Sequence, residues 1–111
     1  MYKLCFYIPE THVEQVKQAL FDKGAGKIGL YDHCSWQVLG IGQFRPLEGS
    51  DPFLGTQHNI ETVAEYKVEM VCEDGVVADV VKELIHTHPY QEPAYEIYQI
   101  ISAEGLFKKQ S

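Results

Sequence analysis

The sequence predicts an α+β domain in which a four-stranded antiparallel sheet carries two helices on one face. Four segments alternate apolar and polar residues with the period of two that is typical of strands. Two further segments repeat apolar residues at helical spacing. These elements follow one another in the order βαββαβ. Two strand-helix-strand halves with right-handed crossovers give the ferredoxin-like arrangement.

The first half begins with a strand and a helix. Residues 2–8 alternate between two faces and include aromatic and β-branched side chains, which predicts a strand, and Pro9 ends it. Thr11 followed by Glu14 has the spacing of a capping box, which predicts a helix start. An apolar stripe at helical spacing follows, so we expect the helix to run from about Glu10 to Lys23.

Three glycines follow this helix in the spacing G-x-G-x-x-G, which is also found in dinucleotide-binding sites. In those sites the glycines follow a strand and open a helix, because the helix N-terminus supplies the N–H groups that hold the phosphates. Here they follow a helix and precede a strand. The order favours structural roles, with Gly24 as the C-cap glycine and Gly26 and Gly29 in a tight turn.

The next two strands are joined by a long loop. Alternation predicts a strand within residues 31–44 and another at Glu61–Cys72. Residues 45–60 contain two prolines and two glycines, a density of breakers that excludes helix and strand. Loops of this length tend to be functional or disordered, and Phe53 and Leu54 favour a loop that is ordered and packed.

The second half ends with a helix and a strand. Asp74 is the expected N-cap of a helix whose apolar stripe includes Val77 and Leu84 and which HTHPYQEP ends. Residues 94–101 are aromatic and β-branched and predict the fourth strand. The polar tail KKQS, residues 108–111, is expected to fray.

Composition and charge limit the function. A chain of 111 residues, 45 % of them apolar, is enough for one domain over residues 1–111. The formal charge of −7 and the nine scattered lysines and arginines disfavour nucleic acid as a partner. No apolar run is long enough for a signal peptide or a membrane span, so we expect a cytoplasmic protein with no membrane partner. Three cysteines at wide spacings indicate free thiols.

Two stretches carry a more specific signal than periodicity alone: GAGKIGLYDHCSW at residues 24–36 and HPYQEPAYEIY at residues 88–98. They closely resemble the PII-like domain of the YqfO and Nif-three-like proteins, and the resemblance covers nearly the whole chain. Further matching features are the F-x-P of Phe44 and Pro46, Gly49, Gly55 and the alternating E-x-V-x-E-x-K-x-E of residues 61–69. The His-Pro-Tyr turn is also similar to one in CutA proteins.

This resemblance implies a PII-like fold. CutA proteins share that fold, are trimeric and have been linked to copper. In the larger Nif-three-like proteins the domain is an insertion in a dinuclear-metal protein, whose metal ligands lie in flanking segments that these residues do not include. We therefore do not expect the hydrolase activity attached to that family to transfer to these residues.

The two stretches supply the candidate residues of a ligand cleft, which are Gly26, Gly29, Tyr31, Cys34, Tyr90, Glu92 and Tyr95. Cys34 beside His33 also suggests a thiolate nucleophile. Neighbouring residues of a strand point to opposite faces, however, so the sequence favours a small buried cysteine instead. No catalytic residue is assigned.

His86 and His88, with Glu92 nearby, are candidate ligands for a divalent ion such as Cu(II), Ni(II) or Zn(II). Residues i and i+2 of a helix point to different sides, so both could bind one ion only if the helix ends by Thr87. Pro89 favours that ending. The sequence favours the alternative, a structural His88 whose ring hydrogen-bonds the turn and positions Tyr90.

Two functions remain open. The favoured one is a non-catalytic, oligomeric PII-like module that binds a small ligand or metal ion in a regulatory role, with its long loop and glycine turn at clefts between subunits. The alternative is a metal-dependent hydrolase relative, or a metal-binding accessory subunit of one. The open sheet face, expected to carry either the Cys5 and Tyr7 set or its counterparts on the other strands, needs a cover, so we expect a homo-oligomer, with a trimer favoured over a dimer.

Overall fold

The computed structural model describes residues 1–109 and has the predicted order of strands and helices, with one added helix. The elements are β1 (Tyr2–Pro9), α1 (Val13–Asp22), β2 (Trp36–Phe44), β3 (Glu61–Cys72), α2 (Val77–Thr87), β4 (Tyr95–Gln99) and α3 (Ala103–Lys109). Helix α3 was not predicted, and it includes the first two residues of the tail expected to fray. The other two tail residues, 110–111, lie outside the described residues. Within residues 1–109 no helix is long and apolar enough to cross a bilayer.

The four strands form one antiparallel sheet in the order β2-β3-β1-β4, which confirms the predicted topology. Paired residues of antiparallel strands share a face, and in β1 Leu4 pairs with both Met70 and Ile97. This face carries both α1 and α2, as predicted. The buried core between them consists of Leu4, Phe6, Ile8, Val13, Val16, Leu20, Ala25, Val68, Met70, Cys72, Val80 and Leu84.

The opposite face of the sheet is more polar than expected. Of the two alternatives for this face, it carries Cys5 and Tyr7, but their partners in β3 are Glu69 and Lys67. The exposed apolar side chains are instead concentrated along β2, on both faces of this edge strand, and are Trp36, Val38, Leu39 and Ile41. Lys17 of α1 reaches this strand through a hydrogen bond to Gln37 at 2.9 Å, but the four apolar side chains stay exposed.

The predicted side-chain caps at both helix starts were wrong. The Thr11 hydroxyl lies 2.8 Å from Nδ1 of His12, and α1 begins only at Val13 with no side-chain cap. The Asp74 carboxylate pairs with the N-terminal amine of Met1. At α2 the backbone carbonyl of Glu73 accepts hydrogen bonds from the N–H groups of Val76 and Val77, and the helix begins without a side-chain cap.

The end of α1 agrees with the interpretation of the glycines. Gly24 has φ +102°, its N–H donates to the carbonyl of Phe21, and the N–H of Ala25 donates to that of Leu20. These two bonds are those of a Schellman motif, in which the left-handed position favours glycine. Gly26 and Gly29 also have positive φ, +79° and +58°. All three glycines therefore occupy backbone conformations that other residues rarely adopt.

Candidate functional site

The end of the sheet where β2 stops and β3 starts carries a cleft of about 310 Å³. Its floor comes from the strands, one wall from the loop of residues 45–60 and the other from the turn after α2. The lining residues are Tyr7, Gln43, Phe44, Pro46, Ser50, Pro52, Phe53, Leu54, Glu65, Tyr90, Gln91, Glu92 and Ala94. Most are aromatic or apolar and a few are polar, as is usual for small-molecule sites.

The loop of residues 45–60 is held by hydrogen bonds, whereas Phe53, which was expected to be packed, is 46% exposed. The N–H of His58 donates to the carbonyl of Pro46 at 2.6 Å and closes the loop at its base. The N–H of Asp51 donates to Oε1 of Gln91 at 2.9 Å, which joins the loop to the opposite wall. This bond ties the two walls of the cleft together.

Tyr90 occupies the centre of the aromatic wall. Its ring centroid lies 5.9 Å from that of Phe44 and 6.4 Å from that of Phe53. The ring of Phe53 in turn meets His12 edge-on at 5.3 Å. Aromatic pairs at these separations are attractive, so the wall is a cluster of rings with one phenol among them.

The phenol of Tyr90 is held by a carboxylate. Its hydroxyl donates to Oε2 of Glu65 at 3.1 Å. Burial and the neighbouring Glu65 raise the pKa of Tyr90, so the hydroxyl stays protonated and keeps donating at neutral pH. Glu65 itself lies across Gly42, where a Cβ would be 2.1 Å from Oε1 of the glutamate. A glycine is therefore required at this point of β2 for the carboxylate to lie where it does.

His88 holds the main chain of Tyr90. Nδ1 of His88 accepts the N–H of Tyr90 at 3.1 Å, so the proton is on Nε2, which donates to the carbonyl of Tyr7 at 2.7 Å. The side chain is 6 % exposed, and burial lowers its pKa, which favours the neutral ring. The ring of His88 thus makes the hydrogen bond to the turn that the structural alternative predicts, and a second one to β1.

The other candidate ligand, His86, lies exposed on α2. Among residues 1–109 no three side chains of His, Cys, Asp or Glu come together as a set of metal ligands. A metal bound by His88 would have to displace one of its two hydrogen bonds. Binding of a divalent ion remains a prediction.

The glycine turn and its candidate residues lie at the other end of β2. The N–H of Gly26 donates to the carbonyl of Val71 at 2.7 Å, and its carbonyl accepts the N–H of Cys34 at 2.9 Å. Gly29 is the first central residue of a two-residue turn that leaves Tyr31 exposed. Cys34 is partly buried and beside a second cleft.

Within residues 1–109, no hydrogen bond joins the thiol of Cys34 to a basic side chain. Its thiol donates to the carbonyl of Asp32 at 3.6 Å. The ring of His33 packs against that of Phe21, with 4.7 Å between the ring centroids. Its Nδ1 lies 3.2 Å from the carboxylate of Asp32. Cys5, Cys34 and Cys72 are all free, as predicted.

Six of the seven candidate cleft residues are therefore divided between two places in the chain. Tyr90 and Glu92 line the cleft of about 310 Å³ beside Phe44, whereas Cys34 lies near Trp36, at the start of the same strand. A strand of this length separates the two ends by about 26 Å. Tyr95 in β4 packs against the core and is among the lining residues of neither cleft.

The sequence interpretation missed most of the cleft. In the sequence, nothing distinguished Glu65 from the other glutamates that alternate along β3. Gln91 was noted only as part of the stretch HPYQEPAYEIY that carries the family resemblance. Gly42 carried a usable signal, because a glycine inside a strand often marks a close approach by another group. Phe53 was expected to be packed but had no assigned partner.

No protein-family model matches the chain. The protein named GTP cyclohydrolase 1 type 2 homolog of Halalkalibacterium halodurans is 44% identical to it over 100 residues, which are 90% of this chain and 27% of that protein. The protein of the same name in Bacillus subtilis is 44% identical over 98 residues, 88% of this chain and 26% of that protein. The chain thus spans about a quarter of the length of these relatives.

The solved structures agree with this placement. A Bacillus cereus protein related to NIF3 superposes with a TM-score of 0.77 at 36% identity, over 91% of this chain and 26% of that one. CutA from Archaeoglobus fulgidus superposes with a TM-score of 0.66 at 17% identity, over 96% of this chain and 91% of that one. The chain is therefore a homologue of about a quarter of the Nif-three-like (YqfO) proteins, and it has the PII-like fold that CutA proteins share.

Proposed function

We propose that the chain is a non-catalytic PII-like module that binds a small molecule in the cleft beside Phe44 and acts in a regulatory role as a homo-oligomer. The observation that carries this proposal is the double fixation of Tyr90. Its main chain is held by His88 and its hydroxyl by Glu65, so the central ring of the cleft is fixed by hydrogen bonds at both ends of the residue. A preformed site loses less conformational entropy when a ligand binds.

The homo-oligomer is supported by β2. It is an edge strand of nine residues, with Trp36 58% and Ile41 84% exposed. A long apolar edge strand is a template for pairing with another chain. A second copy placed along β2 covers these side chains and approaches both ends of the strand, where the two clefts lie. We favour a trimer, with a dimer as the second choice.

The alternative is a metal-dependent hydrolase relative or a metal-binding accessory subunit, and the name of the relatives, GTP cyclohydrolase 1 type 2 homolog, supports its hydrolase part. Metal analysis of protein purified without an affinity tag separates the two proposals. A tightly held, stoichiometric pair of ions would favour the alternative, whereas sub-stoichiometric metal would favour the ligand-binding module.

Ligand binding is tested by screening a set of small metabolites and fragments against amide NMR spectra of the chain. We expect binding compounds to shift the amides of Asp51, Tyr90 and Gln91, whose groups join the two walls. Phe53→Ala removes part of the aromatic wall and should weaken these compounds at least several-fold. Leu30→Ala is the matched control, because Leu30 is fully exposed on the glycine turn. A complete screen without shifts at the cleft would contradict the proposal.

A further inference from the structure

The charged side chains of the cleft beside Phe44 are all of one sign. Two of its lining residues are glutamates, Glu65 and Glu92, and the lining set, which lies wholly in the described part of the chain, includes no lysine, arginine or histidine. Phosphates and carboxylates are bound in proteins by cationic side chains or by helix N-termini. The cleft therefore disfavours anionic ligands, nucleotides included.

Glu65 keeps acceptor capacity for a ligand. A carboxylate offers about four lone-pair sites on two oxygens, and the Tyr90 hydroxyl uses one of them, on Oε2. The side chain crosses Gly42, so it lies along the floor of the cleft, where the Tyr90 hydroxyl binds its Oε2. A cationic group in the cleft would have this fixed carboxylate as its partner.

The aromatic wall favours the same kind of ligand. The rings of Phe44, Phe53 and Tyr90 form a continuous cluster beside Glu65. Aromatic faces attract ammonium and guanidinium groups, and their apolar bodies pack against the rest of a ligand. Carboxylate and rings together form an arrangement that a small organic cation complements.

We propose that this cleft binds a small organic amine in its protonated form, with the ammonium group against Glu65 and the apolar body among the rings of Phe44 and Phe53. The proposal rests on the proposed function and adds the chemical class of the ligand. It also predicts a preference that depends on charge rather than on shape.

Three probes of nearly the same shape test this preference: phenylpropylamine, phenylpropanol and phenylpropionate, which are cationic, neutral and anionic near neutral pH. We expect the amine to bind at least about ten-fold more tightly than either of the others, measured by titration of the cleft amides in NMR spectra. Glu65→Gln removes the charge and should reduce this preference to about two-fold or less.

A pair of glycine variants tests the position of the carboxylate without changing any charge. Gly42→Ala places a Cβ where Glu65 now lies and should displace the carboxylate and lower the preference for the amine. Gly40→Ala is the matched control on the same strand, because its Cβ would meet only the carbonyl of Glu65, at an ordinary 3.9 Å. Well-dispersed spectra of each variant establish that it is folded.

The outcomes separate this inference from the proposed function. If phenylpropanol or phenylpropionate binds at the cleft amides with the same affinity as the amine, the preference for a cationic ligand is wrong and the cleft remains a small-molecule site. An amine preference that survives in both Glu65→Gln and Gly42→Ala also overturns the role of Glu65. If neither these probes nor any compound of the screen shifts the cleft amides, the proposed function itself fails.

Discussion

Replacement of Gly26 by alanine tests whether the glycine turn is a structural device. The residue has φ +79°, and a Cβ there would lie 2.8 Å from the carbonyl oxygen of Cys34 and 2.9 Å from the ring of Phe21. Neither neighbour can yield easily, because one is backbone and the other is a ring next to the core. The two backbone hydrogen bonds of Gly26, to Val71 and from Cys34, hold the residue in place.

The expected cost has two parts. A non-glycine residue in the left-handed region costs about 1–2 kcal/mol. Forcing an extra carbon into a packed environment costs about 1–3 kcal/mol more. We therefore expect Gly26→Ala to lower the free energy of unfolding by about 2–5 kcal/mol, a large share of the stability of a domain of this size.

Gly29→Ala is the matched control. Gly29 also has positive φ, +58°, but a Cβ there would meet nothing within 4 Å. This variant should therefore lose only the backbone part, about 1–2 kcal/mol. Urea denaturation followed by circular dichroism, at one fixed protein concentration, measures both variants. Equal destabilisation of the two would refute the steric argument, and a Gly26→Ala variant as stable as the wild type would refute the structural role.

Three further predictions concern His88 and β2. His88→Ala should lower the free energy of unfolding by about 2 kcal/mol or more, because it removes the ring that hydrogen-bonds the carbonyl of Tyr7 and the N–H of Tyr90. His86→Ala, on the exposed face of α2, is the control and should change it by less than about 0.5 kcal/mol. Urea denaturation measures both variants. Burial holds the pKa of His88 below its ordinary value of 6.5, so the unfolded chain binds more protons and stability should fall as the pH drops below that value. A pH series of denaturation midpoints should show a shallower fall for His88→Gln than for the wild type, and parallel curves would contradict this. Ile41→Lys on β2 should lower the mass measured by light scattering after size exclusion, while Ile85→Lys, at an isoleucine of α2 that is 50% exposed, should not. A wild type with the mass of one chain at every concentration would exclude the oligomer.

The sequence determined the elements and their order because periodicity is a local property. A strand alternates every two residues and a helix repeats every 3.6, so a short window suffices to distinguish them. The C-cap role of Gly24 was predictable for the same reason, since it depends only on the end of its own helix. Helix α3 was missed because its seven residues, with only Leu106 and Phe107 as large apolar side chains, are too few for a clear period.

Only the tertiary structure decided where the side chains with polar or aromatic groups find partners. Thr11 and Asp74 had the right spacing for caps, but closer partners, His12 and the N-terminal amine, took their side chains. The cleft depends on residues from β2, the long loop, β3 and the turn after α2, which no sequence window contains together. The same sheet brings Phe44, Glu65 and Tyr90 together at one end of β2 and places the glycine turn at the other end. Strand pairing and chain direction decide which segments meet, and similarity between motifs does not.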